Sequence, residues 1–74
     1  MATAKGPCAH QQELIEVVRK HLARIAELSR ETAEALAARD MGRAMEIDKK
    51  IELELGAKER GMGALHEHKR EHGC

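Results

Sequence analysis

The stretch Ala35-Leu36-Ala37-Ala38-Arg39-Asp40-Met41-Gly42-Arg43-Ala44-Met45 decides the fold, because helical periodicity runs on both sides of it and lapses within it. Asp40 is a residue type that caps helix N-termini, and Gly42 lowers the local helix propensity. A turn is therefore expected over 40–42, joining a helix over about 7–39 to a second over about 43–72. Two helices joined by so short a turn must lie antiparallel.

Upstream of the turn, Gly6-Pro7 is a helix start, since proline in the first turn has the required φ and lacks a donor that would be unpaired there. Residues Met1 to Gly6 carry no pattern and are expected to be disordered. Ile15, Val18, Leu22, Ile25, Ser29, Thr32 and Leu36 follow at alternating steps of three and four, which is a heptad seam. Leu14, Val17, His21 and Leu28 widen that seam beyond what one partner helix covers. On the solvent face, Glu16 is spaced to pair with Lys20, and Arg30 with Glu34.

Downstream, Ala44, Ile47, Ile51, Leu55, Met62 and Leu65 form the apolar row, and Met45, Leu53 and Ala64 flank it. Glu46 with Lys50 and Glu54 with Lys58 are expected on the exposed face, and Asp48 reads as a solvated edge position. Gly56, Gly61 and Gly63 each cost on the order of 1 kcal/mol against alanine inside a helix, so a kink at Gly61-Met62-Gly63 is a point to inspect. The methionines Met41, Met45 and Met62 read as fillers of an apolar face.

Composition narrows the class. The chain has no Phe, Trp or Tyr, so its core must come from aliphatic residues, methionine and alanine. Thirteen basic residues balance thirteen acidic ones and alternate with them, which disfavours binding to nucleic acid or an anionic membrane surface. No run approaches the 18 or so apolar residues of a membrane span, and the first residues are not a secretory leader, so a cytoplasmic protein is the expectation.

The turn stretch Ala35 to Met45 resembles the turn of tetratricopeptide-type αα-hairpins, where small residues let two helices approach closely; no repeat period accompanies it. A domain of this length rarely draws more than roughly 3–5 kcal/mol from one core. The stripe is also too wide for two helices, and soluble monomers rarely expose an elongated apolar patch. The expectation is an all-α, antiparallel two-helix hairpin assembling as a homodimeric four-helix bundle. Ile15, Val18, Leu22, Ile25, Leu36, Ile47, Ile51, Leu55, Met62 and Leu65 are the candidate oligomer core.

One cluster carries chemistry. A pivot at Met41 sets Cys8 level with Cys74 and His10 with His72, places His68 opposite Leu14, and turns His21 towards Gly61. The open end of the hairpin then has three readings. A Cys8–Cys74 disulfide needs an oxidising compartment and Cα atoms within about 7 Å. A zinc-type site would take His68 and His72, four residues apart on one face, completed by Cys8 and Cys74. Otherwise the thiols are free, and the basic run at the end of the second helix complements its dipole. Cys8 near a helix N-terminus could also have a lowered thiol pKa, the basis of a thiol switch.

Phosphate-binding glycine loops, nucleophile elbows, H-E-x-x-H and C-x-x-C are all missing from the sequence. The reading is thus a non-enzymatic, homo-oligomeric interaction or scaffold module whose principal partner is a second copy and which needs no cofactor. A small zinc-binding or thiol-switch protein acting through Cys8, His68, His72 and Cys74 is the alternative.

Overall fold

The computed structural model describes residues 7–73, with side chains from Ala9 onward. Met1 to Gly6, where disorder is expected, and Cys74 lie outside the described residues, as does the side chain of Cys8. Among the described residues the chain forms two helices and no strand: α1, Pro7–Ala37, and α2, Met41–His72. They lie side by side as an antiparallel rod measuring 56 × 20 × 12 Å. At 1.5 Å per residue, each helix of about 30 residues accounts for most of that length.

The turn comes earlier than the sequence suggests. Helix α1 ends at Ala37, Arg39 takes the left-handed conformation at φ 59°, and Asp40 is the cap of α2. The Asp40 N–H donates to the Ala35 carbonyl at 2.8 Å and the Arg39 N–H to the Leu36 carbonyl at 2.9 Å. That pair of bonds is the Schellman arrangement, which satisfies carbonyls the helix end would otherwise leave open. The Asp40 carboxylate then accepts from the Arg43 N–H at 3.1 Å. Gly42, expected in the turn, is already helical. Because arginine supplies the left-handed residue, glycine content was a misleading guide to where the chain reverses. At the far end Gly73 closes α2 with φ 73°, its N–H donating to the Lys69 carbonyl at 2.7 Å. Between these caps α2 is continuous through Gly61 and Gly63.

The seam between the helices is a heptad row on each. On α1 it runs through Leu14, Val18, His21, Ile25, Leu28, Thr32 and Ala35, all buried or half-buried. On α2 it runs through Ala44, Ile47, Ile51, Glu54, Lys58, Gly61, Leu65 and His68, again all buried or half-buried. The α1 row shares Val18, Ile25 and Thr32 with the row legible in the sequence, but otherwise lies one residue earlier. Two overlapping three-and-four rows existed in α1, and the partner helix selected the one containing Leu28.

Packing is concentrated near the turn, where Leu28, at 1% exposure, clusters with Ala35, Ala44 and Ile47 and is joined by Ile51. Ala35 and Ala44 bring the backbones close beside the Schellman turn. Of the candidate oligomer core, Val18 and Ile47 are buried within one hairpin and Ile15, Ile25, Ile51 and Leu65 half-buried. Leu22, Leu36, Leu55 and Met62 remain exposed.

Candidate functional site

Two features stand apart from the packing: a histidine cluster at the open end, and an apolar row along one side.

The pivot at Arg39 shifts the pairing of the helices from that expected for a pivot at Met41. His10 packs against His68, not His72, with ring centroids 5.4 Å apart in an edge-on arrangement. His72, one turn beyond His68, adds a third ring at 4.7 Å. His68 is the one buried polar residue among those described, and its Nε2 atom has no hydrogen-bond partner. An unmet polar atom in such a place costs about 1–3 kcal/mol. His10 is exposed and oriented through Nδ1, which lies 3.2 Å from Glu13 Oε1. Leu14, Ala64, Glu67 and Glu71 complete a groove with the three histidines. Among the described residues, no three His, Cys, Asp or Glu side chains converge on a point where a metal could sit. The proposed completion by Cys8 and Cys74 rests on groups outside the described side chains.

A second histidine lies in the seam. His21 Nδ1 is 2.7 Å from Glu54 Oε1, and both side chains retain 29% exposure. Glu54 and Lys58, expected on the solvent face, are seam residues, and His21 does not face Gly61. Gly61 instead meets Val18, whose Cγ2 would stand only 2.8 Å from a Cβ at that position. The four-and-three alternation Ile47, Ile51, Glu54, Lys58, Gly61, Leu65, His68 was the available signal for this. It was hidden because three of those seven residues are polar and a fourth is glycine.

The solvent faces differ in detail as well. Glu16 bonds Arg19 at 3.2 Å and Gln12 at 3.4 Å. Arg24 pairs with Glu27, and Arg70 with Glu67. The three Arg–Glu contacts are exposed ion pairs spaced three apart and contribute little.

The apolar row follows from the heptad geometry. Ile15, Leu22, Ser29 and Leu36 each come one residue after a seam position of α1; Asp48, Leu55 and Met62 do the same on α2, and Met41 lies one heptad before Asp48. In an antiparallel pair these two sets line the same side. Leu22, Leu36, Met41, Leu55 and Met62 are between 40% and 58% exposed. On the opposite side the corresponding positions are largely polar: Arg24 and Glu31 on α1, Arg43 and Lys50 on α2.

Comparison with known proteins finds no matching family model, no similar curated protein and no similar solved structure. The described helices include none long and apolar enough to cross a membrane.

Proposed function

We propose that this chain is a self-associating helical module: two hairpins join through the Ile15/Leu22/Leu36/Met41/Leu55/Met62 side into a four-helix bundle that serves as a non-catalytic scaffold. The observation that carries this reading is the one-sidedness of the exposed apolar residues. Of the eight large hydrophobics left exposed, five fall in that single row, and random surface scatter would not align them. Met45, also exposed, borders the same row, as do Ala26 and Ala33.

Burial supports the reading independently. Five apolar residues are buried among those described, too few to offset the ordering of two long helices. A second hairpin laid on the row would convert it into bundle core, and a two-fold dimer is the simplest closed assembly. Asp48 and Ser29 lie level with each other in the middle of the row and give the contact a polar layer, a device that selects one alignment over others.

Sedimentation velocity at tens of micromolar tests the proposal. The expected species has twice the 8.2 kDa mass of the chain. The double variant Leu22→Glu/Leu55→Glu is expected to sediment as a monomer. A native chain that runs as an 8.2 kDa monomer at that concentration rules the proposal out.

A further inference from the structure

The groove at the open end holds a donor set that self-association does not use. The geometry points to His10, His68 and His72 as the protein ligands of a borderline divalent transition ion of the zinc class, with water or a groove carboxylate in the fourth position. The inference is independent of the bundle reading, since the groove lies on the side opposite the apolar row.

Four observations support it. First, the Nε2 atom of His68 is buried, has no hydrogen-bond partner, and belongs to a side chain lining the groove. A metal would give that lone pair a partner that the protein does not supply. Second, His68 stands at near-ligating separations from both His10 and His72. With metal–nitrogen bonds of about 2.0–2.1 Å, imidazoles in tetrahedral array have centroids roughly 5 Å apart. The observed separations are 4.7 Å and 5.4 Å.

Third, His10 has its outer support in place. Glu13 accepts from Nδ1–H at 3.2 Å in the tautomer that leaves Nε2 free to ligate. A carboxylate behind a ligating histidine sets the tautomer and ring orientation and raises the basicity of the other nitrogen. Fourth, Glu67 and Glu71 line the same groove and favour a cation there. Three imidazoles with oxygen suit zinc, copper or nickel better than a hard cation such as calcium.

The rings now stack at interplanar angles of 62° and 51°, so they do not converge. Convergence requires rotation of His10 and His72, which are both exposed, about their side-chain bonds, with the helices unmoved. The site differs from a thiolate centre: the ligands come from one seam position on α2, its neighbour one turn on, and the facing residue of α1. The cysteines are not needed.

Calorimetric titration of the reduced full chain with Zn²⁺, and absorption spectroscopy with Co²⁺, test this. The expected result is one ion per hairpin and a Co²⁺ ligand-field spectrum without a thiolate charge-transfer band. His10→Ala and His72→Ala should each weaken Zn²⁺ binding at least about tenfold, and Glu13→Gln by about tenfold. The double variant Cys8→Ser/Cys74→Ser should bind as the native chain does. Circular dichroism of each variant should show unchanged helicity, which the exposure of His10, Glu13 and His72 makes the expected result. Absence of saturable binding at millimolar Zn²⁺, binding that survives both histidine variants, or binding lost with the cysteines would each overturn the assignment.

Discussion

The closed and open halves of the hairpin share one heptad geometry and differ in what fills it. Near the turn the seam is Leu28, Thr32, Ala35, Ala44, Ile47 and Ile51, apolar but for Thr32 and mostly buried. Towards the termini the apolar Leu14, Val18 and Leu65 are interrupted by His21 with Glu54, and by Lys58, Gly61 and His68. The first half is held by desolvation, which needs no partner of matching polarity. The second combines apolar contacts of Leu14, Val18 and Leu65 with the His21–Glu54 hydrogen bond, whose groups also lose hydration, so the net contribution of that polar layer is small. Helix pairing therefore depends on the turn end, and the open end is free to carry chemistry that a tightly packed core would exclude.

The largest test of that contrast is Leu28→Ala. Truncating the most buried side chain of the closed half is expected to cost about 2–5 kcal/mol in urea unfolding followed by circular dichroism. Leu65→Ala, in a half-buried seam position of the open half, should cost clearly less. Equal losses would break the comparison.

A gain of stability sharpens it from the other side. In the double variant His21→Leu/Glu54→Leu the half-buried polar layer becomes an apolar one, and a stabilisation of about 1–2 kcal/mol is expected. Hydrogen exchange should slow across the facing turns of both helices. A destabilised double variant would show that the 2.7 Å His21–Glu54 contact contributes more than packed leucines would.

The smallest effects come from two glycines two residues apart. Gly63→Ala meets nothing within 4 Å and should gain about 0.5–1 kcal/mol from helix propensity alone. Gly61→Ala should lose that gain, because its Cβ would press on Val18 Cγ2. Adding Val18→Ala to Gly61→Ala tests the cause, since relief of the contact should make the pair less destabilising than the separate effects together. Thermal unfolding of the four variants reads all of this.

The two helices, their antiparallel order and the capping role of Asp40 were legible because each rests on local signals: three-and-four spacing, a carboxylate before a helix, and a short connection. The location of the reversal was less so. It turns on Arg39 adopting a left-handed conformation, which propensity assigns to glycine, and the adjacent Gly42 pointed three residues too far along. That error propagated to the open end, where it set His10 against His72 in place of His68. The gathering of His10, His68 and His72 at that end needed only the hairpin; which of them touch needed the register.

By itself, then, the sequence determined that the chain forms two amphipathic helices with no net charge and more apolar surface than one pairing can cover. Those properties belong to short stretches of chain and to composition, and they persist whatever the helices pack against. Only the tertiary structure decided which of two overlapping rows on α1 faces α2, and hence that Leu28 is buried while Leu22 and Leu36 are not. It also decided that Glu54 and Lys58 lie in the seam and that His68 has a buried, unpartnered nitrogen. The physical reason is rotational. Both rows satisfy the same periodicity and share Val18, Ile25 and Thr32, and a rotation of about 50°, half of one residue's roughly 100° around the helix, separates them, so the choice rests with side-chain contacts across the pair.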